Sequence, residues 1–217
     1  MNIILQHWTG EMNELGKLSS ANISAYAERI GARYELLRGQ VFDPRMSPPC
    51  QKLIMLDARF DDYETVVMLD MDMFAVRGLR DSVFDLSGHG LFSRYTQDVF
   101  RRCRKQHPTL TDPRYAYWGG AIYRLPRELR ATLRAHIREA ELEAFSENFE
   151  DEGIMHRLAC LAGIPQDRIP DRWCQCSYLP NPETAAMIHI RTKVKPEGPK
   201  VPKLENYMTL KRQNVIE

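Results

Sequence analysis

Asp70 and Asp72 occupy alternate positions at the end of an apolar run, Thr65-Val66-Val67-Met68-Leu69, with Met71 between them. Two carboxylates this close concentrate negative charge, which a divalent cation carried by a phosphate ligand neutralises. Carboxylates also end strands simply by turning into solvent, so D-x-D spacing alone leaves both readings open. Glu150-Asp151-Glu152 forms a second acidic group at the start of a helical stretch. There the acids complement the helix dipole whether or not they also face a ligand. Gly119-Gly120 would let a ligand approach the backbone closely, or would mark a bulge.

These groups need elements to position them. The run before Asp70 is apolar throughout and reads as an interior strand buried on both faces. The C-terminal end of such a strand is where open α/β sheets place their ligands. Upstream, Asn2–Gln6 reads as the first strand and Met12–Ile30 as a helix that Gly31 stops. Arg33–Leu37 reads as a second strand, Asp43 to Pro49 as a proline-rich loop, and Gln51–Phe60 as a helix feeding the acidic strand. This alternation predicts a parallel sheet with right-handed crossovers. The second half is less regular. A strand is expected over Gly90–Arg94, followed by a polar, basic stretch through His107-Pro108 to Asp112-Pro113 and an aromatic segment at Tyr115–Tyr123. Pro126 should open a helix reaching about Phe145, and another helix should cover Glu150–Leu161. Past Pro196, proline, lysine and glycine predict an extended arm or tail.

The chain has 217 residues, 43% hydrophobic and 27% charged, which fits one globular domain with a substantial core. A formal net charge of +1 gives no global field for nucleic acid or an acidic membrane. Arg101-Arg102-Cys103-Arg104-Lys105, the densest basic cluster, reads as a solvated helix face. No run approaches a membrane span, and Asn2-Ile3-Ile4-Leu5 is too short for a signal peptide. Five cysteines form no recognisable disulfide framework, so reduced thiols and a cytoplasmic location are expected. Cys174-Gln175-Cys176 lacks the C-x-x-C spacing of a zinc knuckle.

Several blocks together resemble glycosyltransferase family 8, the glycogenin and galactosyltransferase type. Gln51-Lys52-Leu53, Tyr63, Val66 to Asp72, Leu79 and Val83-Phe84 follow that family's helix, strand, DxD and trailing turn. Trp118-Gly119-Gly120-Ala121-Ile122-Tyr123 resembles its "N-S-G-V" strand, and Asp151-Glu152-Gly153-Ile154-Met155 its "D-Q-x-x-L" helix start. Ile188-His189 with Lys195-Pro196 resembles its closing "H-x-x-G-x-x-K-P". The departures are Thr192 for glycine, Glu197 for a tryptophan, Trp118-Gly119 for Asn-Ser, and Glu152 for glutamine. They bear on sugar identity and donor contacts more than on the fold.

The resemblance implies an α/β chain with one GT-A (nucleotide-diphospho-sugar transferase) domain over residues 1–196, a mostly parallel central sheet flanked by helices, and an arm over 197–217. It implies a metal-dependent hexosyltransferase that uses a UDP-sugar and a glycan or other hydroxyl acceptor, with retention of configuration. Asp70, Asp72 and His189 would hold the metal; this O, O, N set suits Mn²⁺ or Mg²⁺, with imidazole favouring Mn²⁺. Otherwise His189 is a core histidine. The donor would lie against Gln6, His7, Trp8, Thr9, Lys52, Asp70, Met71, Gly119 and Gly120, with Tyr26 a further candidate that also fits a helix core position. Lys195 would offset charge on the departing nucleotide, or else is a surface lysine among Lys193, Lys200 and Lys203. Asp151 would bind donor hydroxyls and Glu152 would stand nearer the acceptor. Glu150-Asp151-Glu152 also resembles the "E-D-D" block of inverting β-1,4-galactosyltransferases, in which Asp151 or Glu152 would be a general base. A sugar-nucleotide-binding module without turnover is a third reading. A nucleotidyltransferase would want a glycine-rich basic loop after the first strand, and Gln6-His7-Trp8-Thr9-Gly10 is not one.

Overall fold

The computed structural model describes residues 1–177, 184–192 and 200–217. Strand β1 (Ile3–Trp8), helix α1 (Glu14–Arg29) and strand β2 (Arg33–Arg38) form the first unit. The Asn13 side chain caps α1 by accepting the Gly16 N–H at 2.9 Å, and Gly31 ends the turn at φ +68°. β3 (Thr65–Leu69) is buried along its whole length, as its composition predicts. β1 pairs in parallel with β2 on one side and β3 on the other. β3 then pairs antiparallel with β6 (Gly119–Pro126), and β6 with the two-residue β5 (Gly90–Leu91). In the sheet order β2-β1-β3-β6-β5, only β6 therefore runs against the others.

Side chains alternate across this sheet with period two. Ile3, Leu5, Val66, Met68, Tyr123 and Leu125 enter one core, whereas Ile4, Val67, Leu69 and Ile122 enter the other. A second sheet, in the order β4-β8-β7, is built from Met73–Ala75, Met187–His189 and Gln175–Cys176.

The expected helix over Gln51–Phe60 is two 3₁₀ segments, Pro48–Leu56 and Ala58–Phe60. Asp57 separates them: its backbone is extended and its carboxylate accepts the Arg59 N–H at 2.8 Å. Residues Cys50 through Leu56 are all buried, so this segment has none of the polar face of a surface α-helix. The expected strand over Gly90–Arg94 stops at Leu91, because Ser93 caps α2 (Arg94–Gln106) by accepting the Thr96 N–H at 3.2 Å. α2 carries the basic cluster. α3 (Arg127–Ala135) ends well before Phe145; the chain continues as 3₁₀ turns over Ile137–Glu139 and Leu142–Phe145, with Glu141 left-handed between them. α4 (Glu150–Ala162) lies where the sequence puts it.

The segment expected as an extended arm holds a helix, α5 (Lys203–Arg212). Tyr207 and Leu210 are buried on one face of it, and the Tyr207 ring lies 5.0 Å from that of Phe74 on β4. Apolar spacing at Leu204, Tyr207 and Leu210 outweighs a proline- and lysine-rich approach.

Candidate active site

The carboxylates of interest meet because of strand register. Leu69 pairs with Ile122, and the Asp70 N–H donates to the Ala121 carbonyl at 3.0 Å. Since β6 runs antiparallel to β3, this sets Gly120 beside the acidic end of β3. The chain then turns into β4, whose Met73 pairs with His189. The Ile190 N–H donates to the Asp72 carbonyl at 2.8 Å. His189 is buried, with Nε2 3.0 Å from Asp72 Oδ1 and 4.0 Å from Asp70 Oδ2. One donor atom from each of Asp70, Asp72 and His189 lies within 4.8 Å of the others. Two hard oxygens and an imidazole nitrogen, converging from a strand end and a neighbouring strand, could hold a divalent cation. The other ring nitrogen, Nδ1, faces the Cys174 thiol at 3.9 Å, so the Nε2 side is the one turned toward the carboxylates.

Lys52 is the hub of the adjoining cluster. Its Nζ lies 2.8 Å from each of Asp70 Oδ1, Asp151 Oδ2 and the Gly120 carbonyl. Burial disfavours charge on this ammonium, but Asp151 and Asp70 outweigh it and raise its pKa above the ordinary lysine value. Asp151, buried and sharing one ammonium with Asp70, stays above the usual carboxylate range because burial outweighs Lys52. The Tyr123 hydroxyl also donates to Asp151, at 3.0 Å. Glu152 accepts the Gly120 N–H at 2.9 Å and the Tyr117 hydroxyl at 3.3 Å. Burial, with Asp151 beside it, pushes the Glu152 carboxyl up to about 7. Asp72 is held well below its usual range: burial opposes ionisation, and His189 and Lys203 more than offset it.

A cleft of about 550 Å³ opens over these groups. Of the residues expected at the donor site, His7, Trp8, Thr9, Lys52, Asp70, Met71 and Gly120 line it, as do Asp72, Asp151 and Glu152. Gln6 lies beneath it, fully buried, donating to Ser19 Oγ at 3.0 Å and to the Asp70 carbonyl at 2.9 Å. Gly119 faces away: a Cβ there would meet Thr96 Oγ1 at 2.9 Å. A Cβ on Gly120 would meet Asp151 Oδ2 at 2.5 Å and Lys52 Nζ at 3.1 Å, so its missing side chain makes room for this chain's own ion pair. Tyr26 is a core residue whose hydroxyl donates to the Asp81 carbonyl at 2.8 Å. Lys195 lies outside the described residues.

The sequence did not single out Asn13, Leu15, Pro48, Pro49 or Lys203, which also line the cleft. By sequence Lys203 reads as a surface lysine; its ammonium bonds Asp72 Oδ2 across 131 positions of sequence, and no local pattern signals that.

No family model matches the sequence, and no curated protein matches it. Solved structures do. A galactosyltransferase, LgtC, in complex with donor and acceptor sugar analogues superposes with a TM-score of 0.59 at 13% identity, over 98% of this chain and 96% of that one. An active-site mutant of LgtC gives a TM-score of 0.63 at 12% identity, with the same coverage. A glycosyltransferase involved in glycosylation of the major capsid of PBCV-1 gives 0.55 at 11% identity, over 97% of this chain and 98% of that one. These neighbours are GT-A-type glycosyltransferases, matched along nearly their full length. The chain has the GT-A fold. Within this GT-A domain, both acidic groups sit on one cleft, at the carboxyl end of β3 and the amino end of α4. Among the described residues, no helix is long and apolar enough to cross a membrane.

Proposed function

We propose that this GT-A chain is a metal-dependent glycosyltransferase that moves a hexose-type sugar from UDP to a hydroxyl acceptor with retention of configuration. The observation that carries the reading is the convergence of Asp70, Asp72 and His189 at the edge of the cleft. The neighbouring galactosyltransferase, bound to donor and acceptor sugar analogues, supports it. Asp70, Asp72 and His189 would hold Mn²⁺ or Mg²⁺. Such an ion neutralises a diphosphate and stabilises it as a leaving group. Lys52 acts through Asp70 and Asp151, whose carboxylates it fixes. Asp151 and the backbone around Gly120 shape the floor on which the sugar would rest, and His7, Trp8 and Thr9 offer polar and aromatic contacts to the nucleoside. Five unpaired thiols suit a reducing compartment such as the cytoplasm.

A second reading, inversion, is favoured by one observation: Glu152 lines the cleft and has its pKa raised to about 7, which suits a general base. Asp151, bonded to Lys52 and Tyr123, suits that role less. The anomeric configuration of the product, read by NMR, separates the two.

The test of the shared reading is calorimetric titration of UDP with Mn²⁺ or with EDTA. Parent protein should bind UDP only with the metal, and Asp72→Asn should lose that metal-supported binding while its circular dichroism stays unchanged. Equal UDP affinity in EDTA would end the metal hypothesis.

A further inference from the structure

Among the described residues, the charge around the cleft is unbalanced for a site that is to receive a nucleotide diphosphate: Asp70, Asp72, Glu150, Asp151 and Glu152 line it against two lysines, Lys52 and Lys203. Lys52 has all three N–H groups engaged, each at 2.8 Å, and its side chain is only 10% exposed. It has no donor left for a phosphate. Lys203 differs: its side chain is 38% exposed and, among the described residues, its ammonium bonds Asp72 Oδ2.

The backbone under Lys203 is fixed. It is the first residue of α5, preceded by Pro202, and α5 is anchored by Tyr207 against Phe74 and by Asn206 Nδ2 donating to the Arg191 carbonyl at 2.5 Å. The side chain above that backbone is a flexible four-carbon stem carrying a point charge, which rotates between acceptors at little cost. Its present acceptor, Asp72, is one of the three residues positioned to hold a divalent cation. An ammonium and a divalent cation on one carboxylate repel each other, so each weakens the other's hold there.

We propose that Lys203 is a two-position cation of the cleft: it competes with a divalent metal for Asp72, and with the metal in place it turns to the diphosphate of the nucleotide. This rests on reading the cleft as a nucleotide-diphosphate site, and it makes a prediction of opposite signs for the two ligands. Removing the charge should strengthen binding of the metal alone and weaken binding of the nucleotide to the metal-loaded protein. A lysine that merely braces α5 would move neither in that pattern.

The experiment is calorimetry on the full chain and on Lys203→Met, Lys203→Arg and, as a control for net charge, Lys105→Met at the exposed end of α2. Mn²⁺ alone is titrated first, then UDP at saturating Mn²⁺. Lys203→Met should bind Mn²⁺ alone about fivefold or more tightly and UDP about tenfold or more weakly, because one charge is lost from each balance. Lys203→Arg, which keeps the charge, should stay within about threefold of the parent in both titrations, and Lys105→Met within about twofold. Unchanged Mn²⁺ affinity in Lys203→Met overturns the proposal, and so does UDP affinity that fails to drop. A parent that binds Mn²⁺ but no UDP overturns the nucleotide reading itself, and the inference with it. A parent that binds both, with an indifferent Lys203→Met, overturns the inference alone.

Discussion

Lys52 donates to two carboxylates and a carbonyl inside the protein, so removing it leaves Asp151 buried without its cation. Lys52→Met should therefore lose about 3–5 kcal/mol of stability in urea unfolding at neutral pH. Adding Asp151→Asn should recover much of that loss; a double variant no better than the single one would refute the ion pair as the cause. Glu152 gives a test in pH. Its folded pKa of about 7 lies above the ordinary 4.5, so the folded state holds its proton more tightly than the unfolded chain does. Its contribution to stability is present at low pH and declines as pH rises from about 4.5 to about 7. Glu152→Gln should match the parent near pH 5 and exceed it at pH 8 in the same assay. With a retained product the variant should stay substantially active, whereas as the base of an inverting enzyme it should lose on the order of 10²–10⁴-fold in rate. At this scale the sequence showed which residues carry charge, but not their partners. The D-x-D pair was legible because an apolar strand points at it. Lys52 was expected to face the donor, and its saturation by three acceptors from three separate segments has no sequence signature. Lys203 was passed over for the same reason.

Between elements, the site depends on how closely α4 approaches β6. Gly120 leaves the space that Asp151 and Lys52 fill, and Gly153 in the first turn of α4 sits where a Cβ would meet Phe145 Cδ1 at 2.5 Å. The chain enters α4 through two left-handed non-glycine residues, Phe149 at φ 67° and Glu150 at φ 37°. Each costs roughly 1–2 kcal/mol of backbone strain, a cost often found where a functional side chain must be aimed. Gly120→Ala should destabilise the fold by about 1–3 kcal/mol through overpacking, and it should also weaken metal-dependent UDP binding by displacing Asp151 and Lys52. Unfolding and calorimetry on one preparation check both, and full UDP affinity in a destabilised protein would detach this contact from the site. α1, long and amphipathic, and β3, apolar throughout, were readable from pattern. Two-residue strands such as β5 and β7 are too short to have a period. α5 was hidden by the composition of the segment leading into it, although its own apolar spacing is helical.

In the molecule as a whole, the βαβ rhythm of the first half and the ordered motif blocks foretold the architecture, while the second, smaller sheet was not foreseen. That sheet matters because the metal-ligating candidates are divided between it and the larger one. Asp70 follows β3 of the five-stranded sheet, and His189 ends β8 of the three-stranded sheet. The stretch 70–72 is both the connection between the sheets and two-thirds of the ligand set. An ion gripped from both sides would act as a clasp, and parting the sheets would require releasing it. Ligand-linked stability then follows: at a free Mn²⁺ concentration of 100 times Kd, the fold should gain about 2.7 kcal/mol. Thermal melts across a Mn²⁺ series should rise in proportion to the logarithm of concentration, and EDTA should cancel the rise. In Asp72→Asn the slope should vanish; if it persists, the stabilising ion binds elsewhere. Proteolysis offers a second view of the clasp, since cleavage within β7, β8 and α5 should slow with Mn²⁺ more than cleavage within α3, which packs on β6 of the larger sheet and on α4. Metal supply would thus set how long this protein survives, as well as whether it works.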